Sequence, residues 1–307
     1  MPWLQLKLDT SPENAEHIED TMLAVGALSI TLTDNADQPL YEPALGETPL
    51  WRQTRITALF DADTDLNKLT DLISNKLCIS PKPPIRSEIL EDKDWEREWI
   101  KNYKPMKFGT RLWVIPSWIE PPEPECTNLL LDPGLAFGTG THPTTALCLE
   151  WLSNQDLKDL FVIDYGCGSG ILGIAALLLG AKNALGVDND PQALIATREN
   201  CRRNGLEEDR FNVVYPGNLS CSPADVTVAN ILAGPLIELA PKIAALTKLQ
   251  GKLILSGILC SQSEDVMTAY KPWFTLNPVT VNGEWVRIDG VKHSEIGAGN
   301  SKENSAL

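Results

Sequence analysis

The chain is poor in the groups that bind metals or form cross-links. Its three histidines, at 17, 142 and 293, are dispersed, and its seven cysteines, at 78, 126, 148, 167, 201, 221 and 260, are odd in number with no C-x-x-C pair. Neither a zinc cluster nor a disulfide framework is indicated, and a reducing cytoplasm fits. No apolar run approaches the roughly 20 residues that a membrane helix needs. The start, MPWLQLKLDT, lacks a charged n-region ahead of an apolar core. A soluble, unexported, cytoplasmic protein with no membrane association and no resident metal is expected. Positive charge is scarce too: 26 Lys and Arg stand against 41 Asp and Glu, for a formal net charge of -15. Nucleic-acid footprints rely on clustered Lys and Arg, so direct nucleic-acid binding is not expected, and a basic protein partner suits the balance better.

The 307 residues leave room for two domains with proper cores, at roughly 150 residues per domain. The first ninety residues read as a small α+β unit. WLQLKL suits a strand, a helix follows Ser11-Pro12, and ALSITL suits a second strand; WRQTRITALF, TDLNKLTDLISNKL and PIRSEIL then repeat strand, helix and strand. The order β-α-β-β-α-β is ferredoxin-like. No glycine loop or nucleophile motif occurs there, so substrate recognition is its expected role, over residues 1–92. EDKDWEREWIKNYKP reads as a connecting helix that carries Trp95 and Trp99 on one face. RLWVIPSW suits a strand, and the PPEPE break puts the end of the connector, 93–125, just before the second domain.

The second domain, 126–291, alternates strands and helices: FVIDY, ILGIAALLLGA, NALGVD, PQALIATRENCRRNG, FNVVY, ADVTVAN, PLIELAPKIAAL and GKLILSG. That alternation implies an α/β fold with a parallel sheet wrapped by helices. FTLNPVTVNG and EWVRIDG lie close enough to form a late antiparallel pair, a finish typical of methyltransferases rather than dehydrogenases. Residues 292–307 are polar and small and read as a disordered tail.

Within this domain, FVIDYGCGSG joins a buried strand to a helix through three alternating glycines. Gly166, Gly168 and Gly170 can take backbone conformations closed to other residues and let a ligand approach the main chain. Gly168, Gly170 and Gly173 also satisfy the dinucleotide spacing G-x-G-x-x-G, with Asp188 twenty residues after Gly168. A pyrophosphate would sit at the helix start, where Asp164 places a carboxylate at the mouth of the same loop. A sulfonium and an ammonium would gain from that acid, which favours S-adenosylmethionine over a nicotinamide cofactor. Asp164 could instead cap loop amides. Asp188 closes the next strand, where its two oxygens could accept from ribose hydroxyls. Cys167 reads as a small packed residue rather than a nucleophile.

Two further segments flank this loop. FGTGTHPTT runs into a helix, and Thr144 and Thr145 at its start could cap the backbone or reach a cofactor; His142 reads as structural, with a role as base left open. ADVTVAN ends in Asn230 at the face that should hold the cofactor. A side-chain carbonyl there could bind the hydrogens of an amine and aim its lone pair at a methyl carbon.

Together FGTGTHPTT, DYGCGSGILGIAALLLGA and VANILAGPL, with GILCSQ and EWVRIDG, resemble the ribosomal protein L11 methyltransferase family. The resemblance covers most of residues 130 to 290. It implies a class I methyltransferase with a Rossmann-like sheet. Such an enzyme takes methyl groups from S-adenosylmethionine to lysine side chains and an N-terminal α-amino group of one large-subunit ribosomal protein. The family's cofactor contacts would fall on Thr145, Gly166, Asp188 and Asn230, with Asn230 also catalytic. A nicotinamide-dependent oxidoreductase and a non-catalytic binding protein are the alternatives.

Overall fold

The computed structural model describes residues 2–36, 38, 48–77, 83–91, 103–132, 138, 140–207 and 209–293. The chain divides into two compact units, Met1–Asn102 and Tyr103–Leu307. The helix expected around Trp95 and Trp99 and the tail beyond His293 lie outside the described residues.

The first unit runs β1 (Trp3–Thr10), helix Pro12–Ala24, β2 (Ser29–Asp34), β3 (Thr54–Asp61), helix Leu66–Lys76, β4 (Ile85–Leu90). The sheet order is β2-β3-β1-β4, with every neighbouring pair antiparallel. Strict alternation drives it: Leu4, Leu6 and Leu8 of β1 and Ile56, Ala58 and Phe60 of β3 are buried beneath Ile18 and Met22 of the first helix and Leu69 and Ile73 of the second. Each such side chain contributes about 1.5–3 kcal/mol on leaving water. On the other face Arg55 donates both Nε and Nη2 to the Asp9 carboxylate, at 2.7 and 3.0 Å. These charge-assisted hydrogen bonds hold the Asp9 carboxyl below its ordinary range.

The second unit begins earlier than the PPEPE break suggests. β5 (Met106–Phe108), β6 (Leu112–Ile115) and β7 (Thr127–Leu130) form one three-stranded sheet. The prolines lie in the connection between β6 and β7, which pair in parallel, so the break is a crossover loop inside the unit.

The large sheet has the order β10-β9-β8-β11-β12-β15-β13, with β14 on β15. It comprises β8 (Phe161–Tyr165), β9 (Asn183–Val187), β10 (Phe211–Val214), β11 (Ala224–Asn230), β12 (Thr247–Leu259), β13 (Phe274–Leu276), β14 (Thr280–Asn282) and β15 (Trp285–Lys292). The first five in spatial order are parallel, and β15 joins β12 antiparallel. The α/β class expected from the alternation is therefore observed. Apolar cores cover both faces, which explains why the central strands read as continuous hydrophobic runs. PLIELAPKIAAL is two helices, Ala233–Glu238 and Ala240–Leu246, because Pro241 has no N–H to continue the first. β15 extends through Lys292, which is buried and donates from Nζ to the Ala244 and Thr247 carbonyls, both at 2.8 Å. Lys292, expected as the first residue of a polar tail, is therefore part of the sheet.

Order reverses at β8, which lies between β9 and β11. The crevice outside the carboxyl ends of the strands at such a switch point is where open α/β sheets bind ligands.

Candidate active site

Past β8 the chain turns through Gly166, Gly168 and Gly170, all with positive φ, at 77°, 52° and 79°. The Gly166 N–H donates to the Val187 carbonyl of β9 at 2.7 Å, which holds the loop over the neighbouring strand. The helix Pro191–Arg203 braces it from outside: the Thr197 hydroxyl donates to the Gly168 carbonyl at 3.0 Å and the Asn200 amide to the Ser169 carbonyl at 2.8 Å. Thr197 is also why position 170 is bare, since a Cβ there would come within 2.6 Å of its methyl.

Asp188, just past β9, accepts from the Gly168 N–H at 2.8 Å on one oxygen and from the Asp190 N–H at 3.0 Å on the other. Asp190 caps its own helix, accepting from the Gln192 N–H at 2.8 Å. Asp188 is thus free of the capping role and only partly buried. Each of its oxygens keeps a second lone pair for another donor.

Of the two readings left open for Asp164, the structure shows an amide cap rather than a carboxylate facing a cationic ligand. Asp164 is 1 % exposed and accepts from the Gly173 N–H at 2.9 Å, inside the helix Ile171–Leu178. Burial, with a smaller push from Asp188, raises its carboxyl to about 7, against the Gly173 hydrogen bond. It serves the helix start from below the loop, because its place on β8 turns it toward that helix. Cys167 is likewise buried and its thiol is pushed well above the ordinary range by burial, as suits a packed, unreactive sulfur.

The helix Pro143–Ser153 is capped by His142, whose Nδ1 accepts from the Thr144 N–H at 3.4 Å and meets the Thr144 hydroxyl at 2.8 Å. Burial lowers the imidazole's pKa, and its ring meets the Trp285 ring edge-on at 4.8 Å between centroids. Thr145 is fully buried, and its hydroxyl accepts from the Asn230 side-chain N–H at 3.2 Å. The carbonyl oxygen of that Asn230 amide is buried with no partner. An unsatisfied buried acceptor costs about 1–3 kcal/mol, a cost that a ligand donor would remove.

These pieces meet in a cavity of about 390 Å³ lined by His142, Gly166, Asp188, Asn230, Gly257 and Trp285 among others. Five of the six follow the spatial order β9, β8, β11, β12, β15, so the cavity crosses successive strand ends. Thr145 lines a smaller recess that shares Gly166, Gly168 and Asn230 with it. The four residues singled out by sequence therefore lie together. The residue types suit a ligand with hydroxyls at the Asp188 end and an N–H donor at Asn230.

Kinship decides which chemistry that is. The sequence profile described as ribosomal protein L11 methyltransferase (PrmA) matches residues 2–293. The chain belongs to the ribosomal protein L11 methyltransferase family. A relative of that description from Cellvibrio japonicus is 58 % identical over 292 residues, covering 95 % of this chain and 99 % of its own. Another from Ectopseudomonas mendocina is 57 % identical over 292 residues, covering 95 % and 100 %. The crystal structure of a ribosomal protein L11 methylase from Lactobacillus delbrueckii subsp. bulgaricus is 31 % identical, with a TM-score of 0.55, covering 62 % of this chain and all of that one. As a member of the family the chain is a methyltransferase with S-adenosylmethionine as donor, and the oxidoreductase reading falls away.

Three further cavity residues, Ile231, Gly257 and Trp285, lie within VANILAGPL, GILCSQ and EWVRIDG but have no individual role in the sequence reading. Gly257 ends the strand run LILSG and begins GILCSQ, and neither pattern alone indicates what its missing side chain makes room for. Trp285 is the second residue of EWVRIDG, and nothing local places it across from His142.

Proposed function

We propose that the chain methylates ribosomal protein L11 in the cytoplasm, on lysine side chains and the N-terminal α-amino group. In this reading Asp188 accepts from the donor's ribose hydroxyls, Gly166 gives the closest backbone approach, and Thr145 and Asn230 complete the cofactor site. Residues 1–92 recognise the protein substrate, and 126–291 carry the chemistry. The relatives' names supply the substrate. The observation that carries the mechanism is the buried, unpartnered Asn230 carbonyl oxygen in the cavity wall.

When bound, the donor supplies a methyl carbon whose bond to a positive sulfur breaks as the new N–C bond forms. The Asn230 oxygen accepts one N–H of the incoming amine, and the Thr145 hydroxyl fixes that amide through its nitrogen. The lone pair is thereby aimed. A neutral lysine amine at pH 7 costs about 4.6 kcal/mol from its reference pKa of about 10.4. The apolar wall of Ile231, Leu232 and Trp285 lowers that cost, because burial disfavours the ammonium. An α-amino group, with a reference near 8, needs less help.

Incubating the chain with methyl-labelled S-adenosylmethionine and total ribosomal proteins, followed by mass spectrometry, tests the reading. Label on L11 at lysines and the N-terminus is expected. The absence of any labelled band would defeat it.

A further inference from the structure

Ile231 follows Asn230 out of β11 and lies between two glycines from adjoining strand ends. At Gly166, with φ 77°, an added Cβ would overlap the Ile231 Cγ2. At Gly257, with φ 84°, it would overlap the Ile231 carbonyl oxygen and come within 2.7 Å of its carbonyl carbon and 3.1 Å of its nitrogen. One contact is with a side chain that can be cut back, and the other is with a peptide group that cannot. Gly257 follows Ser256, the β12 partner of Asn230, and sits where the register of β12 on β15 shifts between Leu255 and Ile258. Asn230, Ile231 and both glycines line the same cavity.

We infer that Gly257 is a positioning residue for methyl transfer: the Ile231 peptide is seated on its bare Cα, and that seating sets where the Asn230 carbonyl oxygen lies. The inference rests on the proposed role of Asn230. The Thr145 hydroxyl holds only the amide nitrogen of Asn230, and one hydrogen bond leaves a side chain free to pivot. Its remaining degrees of freedom are removed from the backbone side, where the chain leaves β11 against Gly257. A methyl group at 257 lifts the Ile231 peptide and carries Asn230 with it, and a displacement of about 1 Å at an orienting group can cost about a hundredfold in rate.

The test compares Gly257→Ala with Gly283→Ala. Gly283 also has positive φ, 62°, but a Cβ there would meet nothing within 4 Å, so it reports backbone strain without the clash. Each variant is assayed for the S-adenosylmethionine dissociation constant, for KM and kcat with ribosomal protein L11, and for thermal unfolding. Gly257→Ala should lose about a hundredfold in kcat, with donor affinity and KM within about threefold, while Gly283→Ala keeps wild-type kcat. Wild-type kcat in a folded Gly257→Ala overturns the inference alone; a wild-type chain that methylates nothing overturns the proposed function and the inference with it. Should Gly257→Ala be too unstable to assay under the standard conditions, both variants are read at a temperature below its unfolding midpoint, where the same loss of kcat is expected and a kcat equal to that of Gly283→Ala overturns the inference.

Discussion

The Asn230 side-chain N–H donates to the Thr145 hydroxyl at 3.2 Å, tying the end of β11 to the first turn of the helix Pro143–Ser153, 85 residues earlier. The amide is thereby fixed with its carbonyl oxygen left over. Removing the hydroxyl should release that orientation while the fold stays. Thr145→Val is expected to lower kcat about tenfold and stability by about 1 kcal/mol, the net worth of a buried neutral hydrogen bond. Steady-state kinetics and urea unfolding check both, and Thr145→Ser should restore the rate.

Asp188 presents its remaining lone pairs at the cavity end beside Gly166 and Gly168. Hydrogen bonds to a charged acceptor are worth about 1.5–3 kcal/mol each. Asp188→Ala should therefore weaken S-adenosylmethionine binding at least about tenfold by calorimetry. An unchanged dissociation constant removes the residue from the ribose site.

Asp164 gives the protein a pH signature. Its carboxyl is raised from 3.8 to about 7 by burial, with Asp188 adding to the rise. The folded state then holds a proton that the unfolded chain has released, so the contribution is greatest below pH 4 and is lost as pH rises toward 7. The loss amounts to about 4 kcal/mol at 1.36 kcal/mol per pKa unit. Asp164→Asn, which cannot ionise, should gain stability relative to wild type between pH 5 and pH 8. Urea titrations at the two pH values should show that gap widening, and a constant gap would contradict it.

How much of this was legible depends on how local each signal is. The glycine loop, Asp188 and Asn230 sit at the carboxyl ends of apolar runs, and a parallel sheet brings such ends to one edge whatever the details. For Asp164 the sequence left ligand contact and amide capping open, because its partner Gly173 reaches it only once the helix Ile171–Leu178 is laid over β8. The role of Gly257 within GILCSQ was not legible because its constraint is the Ile231 peptide, just past the end of β11. The PPEPE segment carried every mark of a boundary, yet the parallel pairing of β6 with β7 encloses it. Lys292 looked like the first residue of a polar tail, since a lysine's burial depends on carbonyls that sequence does not bring near.

Lys292 ties the end of β15 to the helix–strand junction at Ala244 and Thr247. Lys292→Met keeps the aliphatic length but removes the Nζ donor from the Thr247 carbonyl and one of two donors from the Ala244 carbonyl, which also accepts from the Thr247 N–H. At about 1–3 kcal/mol for a buried group left unsatisfied, a loss of that order is expected. Thermal unfolding should register it. Donor affinity in the folded fraction should stay at wild type, because the residue is not among those that line the cavity.

The central claim is that the Asn230 carbonyl oxygen orients the acceptor amine, and the most direct measurement is kcat of Asn230→Ala at saturating S-adenosylmethionine and ribosomal protein L11. A fall of about a hundredfold or more, in a protein that still binds the donor, is predicted. A wild-type kcat under those conditions, with only the donor dissociation constant raised, would contradict the account and leave Asn230 as a cofactor contact alone.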